Sequence, residues 1–423
     1  MSTLLAGATV IDGRGGDPVD AAVLMDGDRI TEVGSRARAS DADVVDLSGL
    51  TLMPGLIDAH VHLGHSSDMR AMYNGELSVA ERAADIFRNL RQTLDAGFTT
   101  VRDCGGIDLG VIRTVSRGLV PGPRIWGSAS PLAQCGGHGH IVSPFEPPDE
   151  SFRFRVRGLT AFGRPSDGSD EVRKAAREAF RQGASFLKMA VTGGVVSVSD
   201  RLDDTQFTVE EIATAVVEAR ARHTYVTVHA HNRAGIQNAV AAGVECVEHG
   251  TGIDEATAAL MAEKGVHLVP TLTIARMLME NFDQLGLPPQ VRDRVGDTER
   301  GMAEGLLAAR AAGVLVGSGS DLVGPRQTRR GLEIALKARL IGAMEAIISA
   351  TSTNARIMRL EGQVGAIQPG CYADAVAVNF DPLAEPELFD DPSRVVLVVK
   401  GGQIVKDIRN GQHITTRSGE ETT

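Results

Sequence analysis

Hydrophobic positions along the chain follow two different periods. Apolar residues three or four positions apart, as in 79–94, predict amphipathic helices, whereas short continuous apolar runs predict buried strands. Many helical runs end in a glycine that precedes such a strand, at Gly97, Gly183, Gly243, Gly265 and Gly313. Because glycine readily takes the left-handed conformation that ends a helix, the pattern predicts repeated helix–glycine–strand units.

The repeated unit predicts an α/β fold with parallel strands. Further strands predicted at 56–62, 124–128 and 225–229 bring the set to eight, the number in a closed (β/α)8 TIM barrel. Thr208 and Glu211 form a capping-box pattern at the start of one intervening helix. An open, doubly wound parallel sheet is the alternative on this pattern alone.

The two ends of the chain have a different pattern. Residues 1–53 and 362–415 contain short alternating strands, hairpin signals (DGD at 26–28 and KGGQ at 400–403) and few helix formers. We therefore predict a small β-sandwich domain formed from both termini, a barrel domain at 54–361, and a flexible polar tail at 416–423.

Composition and charge narrow the range of partners. The 423-residue chain has a formal net charge of −11, 4% aromatic residues and no long basic stripe. Such a charge repels phosphate backbones and anionic lipids, and few aromatic side chains are present to stack on bases. We expect a small-molecule substrate and neither a nucleic-acid nor a membrane partner. We also expect a homo-oligomer, because symmetric self-association is common.

The cysteines and the N-terminus indicate a reducing compartment. The four cysteines are scattered and form no CxxC pair, which is typical of packing residues: Cys104, Cys135, Cys246 and Cys371. The first residues lack the basic stretch and apolar core of a signal peptide, and the chain has no apolar run of about 18 residues. We expect a cytoplasmic protein.

Candidate metal ligands follow several of the predicted strands. His60 and His62 lie two residues apart on one strand, so both imidazoles share a face and can chelate one ion. Other candidate ligands stand at the carboxyl ends of further strands: Lys188, His229, His249 and Asp321. Because a barrel presents the carboxyl ends of its strands at one rim, we expect these side chains to converge.

Each of these residues also has a structural explanation when it is taken singly. Lys188 fits a salt-bridged strand end, His229 and His249 fit histidines of the core, and Asp321 fits the N-cap of the next helix. Together, however, four imidazoles, an amine and a carboxylate would form an unsatisfied polar cluster if no metal were bound. The sequence therefore predicts a metal site.

The motifs that hold these residues resemble those of the amidohydrolase superfamily over essentially the whole chain. They are DAHVH at 58–62, Lys188, His229, EHG at 248–250 and SD at 320–321, with MPGLID at 53–58 and GAIQPGCYAD at 365–374 where the predicted domains meet. The nearest resemblance is to metal-dependent dipeptidases and carboxypeptidases of the prolidase and arginine-carboxypeptidase type, and to amide-cleaving relatives such as ochratoxin hydrolases. It is carried by GFTTVRD at 97–103, QCGGH at 134–138, KMAVTGG at 188–194 and HAH at 229–231.

The resemblance implies a binuclear metal centre. In this family the lysine that matches Lys188 carries a CO2-derived carbamate that bridges two divalent metal ions, here expected to be zinc. His60, His62 and Asp321 would hold the first ion, and His229 and His249 the second. A hydroxide activated by the metals would cleave the C–N amide bond of a dipeptide or N-acyl amino acid, with Asp321 as general base and then general acid.

Two further histidines are candidate substrate contacts. His138 lies in a glycine-flanked loop after the third predicted strand and is the candidate donor to the substrate carbonyl and its oxyanion. His231 would face the same opening if the strand continues past His229, although some relatives have a tyrosine here. Exposed loop histidines are the alternative for both residues.

The segment 129–167 is rich in proline and glycine, which predicts a lid or specificity loop. It contains Arg153, Arg155 and Arg157, and Arg326 is a further arginine that would suit a substrate carboxylate. Since charged loop residues are usually just solvated, we do not place these arginines in the site.

Three other functions fit parts of the sequence. A carbamate, thiocarbamate or urea hydrolase would share the architecture and differ in its loops. An imidazolonepropionase-like cyclic amide hydrolase is mononuclear and lacks the bridging lysine, so Lys188 argues against it. A catalytically silent scaffold is disfavoured because every ligand position is retained.

Overall fold

The computed structural model describes residues 2–35, 37, 41–142, 145, 147, 155–197, 199–283, 285, 289–324 and 327–409. The sequence predictions for Arg153, Arg326 and the tail at 416–423 lie outside these residues. Within the described part of the chain, no helix is both long and apolar enough to cross a bilayer.

Both ends of the chain contribute to one eight-stranded sheet. Its strands are β1 (Ser2–Val10), β2 (Val19–Asp26), β3 (Arg29–Gly34), β4 (Asp43–Asp46), β5 (Thr51–Pro54), β17 (Ala375–Val378), β18 (Val395–Lys400) and β19 (Gln403–Asp407). The order is β19-β18-β17-β5-β1-β2-β3, with β4 beside β1. The antiparallel pairing of β5 with β17 joins the N-terminal to the C-terminal strands.

The central strands are parallel. One sheet has the order β6 (Leu56–Val61), β7 (Phe98–Asp103) and β9 (Arg124–Gly127). A second has the order β12-β10-β13-β14-β15-β16, where β10 is Leu132–Ala133, β12 is Arg164–Pro165, β13 is Leu187–Ala190, β14 is Val226–Ala230, β15 is Cys246–His249 and β16 is His267–Val269. A short antiparallel pair, β8 (Gly106–Ile107) and β11 (Thr160–Ala161), stands apart.

The eighth predicted strand is not a regular strand. Residues 315–321 form one bridge, between Val316 and Leu268 of β16. The Gly317 amide donates to the Leu268 carbonyl (2.8 Å), but Ser318 then accepts from the Ala59 amide of β6 (2.9 Å). The segment therefore changes its hydrogen-bond partner from β16 to β6 within two residues. It is bonded to both strands but forms a continuous ladder with neither.

Helices follow most of the central strands, as the alternating pattern predicts. They are α1 (Met69–Tyr73), α2 (Val79–Asp95), α3 (Leu109–Ser116), α4 (Gly168–Arg181), α5 (Val209–Arg220), α6 (Arg233–Ala242), α7 (Glu255–Lys264), α8 (Leu272–Glu280), α9 (Pro289–Ala311), α10 (Leu332–Ile341), α11 (Ala343–Ile348) and α12 (Asn354–Ile357). Thr208 and Glu211 form the predicted capping box of α5. Gly243 and Gly265 end α6 and α7 with left-handed backbone, which confirms the helix–glycine–strand units there.

The main hydrophobic core lies between the parallel strands and the helices that cover them. It includes Val172 of α4, Leu187 of β13, Val228 of β14 and Ile236 of α6. Cys104, Cys246 and Cys371 are buried as predicted, but Cys135 is exposed, so the interpretation of all four cysteines as packing residues is wrong for Cys135. Its loop has no continuous apolar run that would bury it.

Candidate metal centre

The two histidines of the DAHVH motif direct the same ring nitrogen towards each other. Nε2 of His60 lies 3.3 Å from Nε2 of His62. Nδ1 of His60 lies 2.7 Å from Glu248 Oε2, and Nδ1 of His62 lies 2.7 Å from the Gly105 carbonyl oxygen. In the tautomers that donate from Nδ1 to these acceptors, both Nε2 atoms keep a lone pair for a cation.

Asp321 lies beside His60 and His62. It is the last residue of segment 315–321, which is hydrogen-bonded to β16 and β6. Its Oδ1 lies 3.2 Å from His62 Nε2 and 3.5 Å from His60 Nε2. The Asp321 amide donates to the His60 carbonyl at 2.8 Å, which ties the carboxylate to β6. The structure therefore brings together the three residues that the family resemblance assigns to the first ion.

A second pair of histidines faces the same region. His229 Nδ1 lies 2.8 Å from His249 Nε2. The opposite nitrogens are bound elsewhere, since His229 Nε2 lies 3.2 Å from the Gly193 carbonyl and His249 Nδ1 lies 2.7 Å from Thr271 Oγ1. Potential ligand atoms of His60, His249 and Asp321 all lie within 4.8 Å of one another, so the two pairs adjoin.

Lys188 is buried on β13 and close to these groups. Its charge contributes to lowering the pKa of His60, His229 and His249, after the larger effect of burial. Its Nζ has no hydrogen-bond partner among the described residues. A buried ammonium without acceptors is costly, and this orphaned nitrogen fits a group that acquires its partners only on modification or binding.

The electrostatics of the cluster favour ligand-competent protonation states. Burial lowers the pKa of both His229 and His249 well below the usual range. Burial raises the pKa of Asp321, but the neighbouring His60 and His62 outweigh it and hold that pKa at about 2. Burial likewise lowers the pKa of His62, but the hydrogen bond to Asp321 leaves a net raised value. At neutral pH, Asp321 is therefore anionic and His229 and His249 are neutral.

The structure also places both predicted substrate histidines in this cluster. The His138 ring stacks on that of His229 with centroids 4.0 Å apart, and His138 Nδ1 lies 2.9 Å from Ser197 Oγ. His231 stacks on His249 at 4.8 Å, with its Nδ1 2.8 Å from Thr251 Oγ1. His138 is half-buried and His231 is buried, so the alternative of exposed loop histidines is wrong for both.

His231 is a further candidate metal ligand as well as a candidate substrate contact, because it lies next to His229 and His249. One ligand atom each of His229, His231 and His249 lies within 4.8 Å of the others, so these residues form a possible three-histidine set.

His65 and His140 lie further from the candidate ligand atoms. His65 packs edge-on against His62, with ring centroids 5.4 Å apart, whereas His140 Nδ1 accepts from the Gly136 amide at 2.8 Å within its own loop.

Sequence reasoning missed the charged groups that support the ligands. Arg102 on β7 is fully buried and its guanidinium lies 2.5 Å from Glu248, which in turn contacts His60. Asp58 accepts from Ser320 and forms an ion pair with buried Arg330 at 3.1 Å. The available signal was an arginine within a strand that the helix–glycine–strand pattern predicts to be buried, as with Arg102 in GFTTVRD.

The chain belongs to the amidohydrolase family, whose model matches residues 51–405. Ochratoxinase from Aspergillus niger is 29% identical over 424 residues, covering 96% of this chain and 86% of that protein. A prolidase crystallised with N-methylphosphonate-L-proline is 37% identical with a TM-score of 0.90, covering 96% of this chain and all of that one. A Xaa-Pro dipeptidase with bound methionine is 28% identical with a TM-score of 0.85, covering 96% of this chain and 99% of that one.

These comparisons confirm the predicted family and its dipeptidase-like branch. The protein is a hydrolase that acts on C–N bonds. Membership also implies an α/β fold of the TIM-barrel type, with which the parallel strands agree, and the family generally uses divalent metal ions.

Proposed function

We propose that the protein hydrolyses the amide bond of a dipeptide or an N-acyl amino acid at a centre of two divalent metal ions. His60, His62 and Asp321 would hold one ion and His229 and His249 the other. A carbamate formed by CO2 on Lys188 would bridge them. The observation that carries the proposal is the convergence of imidazole nitrogens and the Asp321 carboxylate beside a buried Lys188 Nζ that has no hydrogen-bond partner in the described part of the chain.

The donor set fits zinc. Zinc is commonly bound by imidazole nitrogens and carboxylate oxygens. A histidine that binds zinc through one ring nitrogen usually forms a hydrogen bond through the other, which fixes the orientation of the ring. Each of the four candidate imidazoles has such a partner on its opposite nitrogen. An ammonium cannot ligate a cation, whereas a carbamate supplies anionic oxygens and would remove the unpartnered charge of Lys188.

The residues of the chain have separate tasks in the proposed reaction. When bound, the two ions would lower the pKa of water to about 7 and polarise the scissile carbonyl. The Asp321 carboxylate would take the proton of the attacking water and deliver it to the leaving nitrogen. His138 would donate a hydrogen bond to the carbonyl oxygen as negative charge develops there, and His231 would contact the substrate.

The similar proteins support an amide substrate. A prolidase, a Xaa-Pro dipeptidase and an ochratoxinase each match 96% of this chain at 28–37% identity. For the architecture, we propose that the parallel strands and the segment 315–321 close a (β/α)8 barrel at 54–361. The terminal strands at 1–53 and 362–415 would form the β-sandwich.

A hydrolysis screen tests the proposed substrate class. Xaa-Pro, Xaa-Arg and N-acyl amino acid libraries would be compared with carbamates and phenylureas, with metal content measured on the same sample. We expect release of an amino acid that is lost on chelation and restored by zinc. Activity on carbamates alone would contradict the substrate class, and full activity without metal would contradict the centre.

The carbamate is testable separately. We expect a carbamate resonance in the ¹³C NMR spectrum of zinc-loaded protein equilibrated with labelled bicarbonate. The resonance should be absent from the Lys188→Met variant and present in Lys337→Met, which changes another buried lysine. A spectrum without the signal in zinc-loaded wild type would remove the carbamate from the proposal.

A further inference from the structure

The four candidate imidazole ligands differ in the group that holds their second nitrogen. Among the described residues, His60 alone of the four is hydrogen-bonded there to a carboxylate, with Nδ1 2.7 Å from Glu248 Oε2. His62 and His229 meet the backbone carbonyls of Gly105 and Gly193, and His249 meets the hydroxyl of Thr271. A carboxylate therefore supports one ligand of the first candidate ion, whereas both histidine ligands of the second are supported by neutral groups.

Glu248 is held as an anion in the interior. Its side chain and that of Arg102 are both 0% exposed and form an ion pair at 2.5 Å. Thr227 donates a further hydrogen bond to the same oxygen, Oε1, so Oε2 is directed to His60. The Arg102 Nε atom donates to the Ala59 carbonyl at 2.6 Å, which fixes the guanidinium against β6.

We propose that Glu248 is a positioning residue that selectively strengthens metal binding by His60, so that the ion held by His60, His62 and Asp321 depends on it and the ion held by His229 and His249 does not. A carboxylate that accepts from Nδ1 fixes the ring orientation and makes Nε2 a stronger donor than a neutral acceptor does. This inference rests on the metal centre of the proposed function.

The test measures zinc affinity separately at each set of ligands. The His229→Ala variant retains the His60, His62 and Asp321 set, and His62→Ala retains the His229 and His249 set. Adding Glu248→Gln to each background keeps the shape of the side chain and removes its charge. Zinc competition against a chromophoric chelator should show a loss of about 10–100-fold in the first background and less than about threefold in the second.

A matched pair of threonine variants avoids leaving Arg102 buried without its partner. Thr227→Val removes the hydroxyl donor to Glu248, and Thr271→Val removes the hydroxyl partner of His249. We expect Thr227→Val to weaken zinc binding only in the His229→Ala background, and Thr271→Val only in the His62→Ala background. Should Glu248→Gln fail to fold, as judged by near-UV circular dichroism, the threonine pair decides the question.

A spectroscopic signature separates positioning from simple structural support. In zinc-loaded wild type, the His60 Nδ1 proton should resonate further downfield than the ring protons of His62 and His249, because its acceptor is charged. Equal loss of affinity in both backgrounds, or an ordinary His60 resonance, would overturn the inference. If neither background binds zinc at all, the proposed metal centre fails instead.

Discussion

Glu248 and His249 are consecutive residues, and both side chains face the same polar interior. Glu248 contacts His60, whereas His249 contacts His229. Successive residues of a regular strand point to opposite faces, so one of the two must leave the strand conformation. His249 does so, with a left-handed φ of 70° at the end of β15. Asp321 has the same feature, with φ 54°.

Left-handed backbone costs a non-glycine residue about 1–2 kcal/mol and tends to persist where the surroundings require it. Here it allows the candidate ligand His249 and Glu248, the carboxylate that contacts His60, to lie next to each other on one short strand. The Asp321 conformation likewise turns its carboxylate towards His60 and His62, while its amide stays bound to β6.

Asp321→Asn should remove the proton acceptor while preserving the size of the side chain. We expect kcat to fall about 10²–10⁴-fold, the usual contribution of a general acid–base group, when zinc is supplied at a saturating concentration. The measurement is steady-state kinetics with metal content determined on the same sample. A near-normal kcat in a zinc-replete variant would remove Asp321 from proton transfer.

Gly194→Ala should disturb His138, because the three atoms nearest to the added Cβ belong to His138 and Ser197. A Cβ atom at Gly194 would lie 2.1 Å from His138 Nδ1 and 3.0 Å from Ser197 Oγ, so the imidazole must move away from its hydroxyl partner. If His138 stabilises the developing oxyanion, kcat should fall about 10-fold or more with zinc content unchanged.

Gly296→Ala is the control for that substitution. It lies in helix α9, and no atom of the described residues lies within 4 Å of the position of its added Cβ. We expect kcat and KM to remain at wild-type values. An unchanged kcat in Gly194→Ala would mean that His138 has no part in the chemical step.

The periodic features of this fold could be predicted from the sequence because they repeat. The glycines after α6 and α7 and the capping box of α5 are local signals, and the structure contains them as expected. The sequence predicts a strand for the segment after Gly313 because a short apolar run follows a helix and a glycine there. Its change of hydrogen-bond partner from Leu268 to Ala59 depends on residues more than 200 positions apart and has no local signature.

In the candidate site, too, local features could be predicted from the sequence and long-range contacts could not. Imidazoles at strand ends are visible in the sequence, but the group on the second nitrogen of each ring is not. Gly105 and Gly193 contribute backbone carbonyls, which any residue possesses. Arg102 and Glu248 become partners only when β7 and β15 approach across the interior, so their pairing requires the tertiary structure.

Lys188→Met should have opposite effects on the stability of metal-free and zinc-loaded protein. Without metal, the substitution removes a buried amino group for which the described residues supply no hydrogen-bond partner, so we expect a higher Tm in the presence of a chelator. Wild type should gain stability from zinc, about 2.7 kcal/mol at 100 times Kd, and the variant should gain much less. Differential scanning calorimetry with chelator and with zinc measures both effects.

Lys337→Met is the matched control. Lys337 is also buried, but its Nζ donates to the Gly317 carbonyl and to Ser349 Oγ. Its loss should lower the Tm of the metal-free protein and leave the increment from zinc in place. A Lys188→Met variant that behaves like Lys337→Met would show that Lys188 is a structural lysine.

Arg330→Met should destabilise the metal-free protein by leaving a buried carboxylate unpaired. Arg330 and Asp58 are 0% and 1% exposed, and Asp58 also accepts from the amides of His60 and Ser320. Removing one partner of a buried ion pair costs about 3–5 kcal/mol, mostly because the remaining charge stays desolvated. Urea unfolding in the presence of a chelator measures this loss separately from metal binding.

The double variant Asp58→Asn with Arg330→Met tests that reason. It removes both charges and keeps an amide that can accept from the His60 and Ser320 amides, so it should recover part of the lost free energy of unfolding. Arg177→Met, which breaks an exposed ion pair with Glu218, should change the urea midpoint little. If the double variant is less stable than Arg330→Met alone, the cost arises from lost packing of the arginine rather than from the stranded carboxylate. Asp58 would then be an independent hydrogen-bond acceptor that holds His60 and Ser320 in place without its cation.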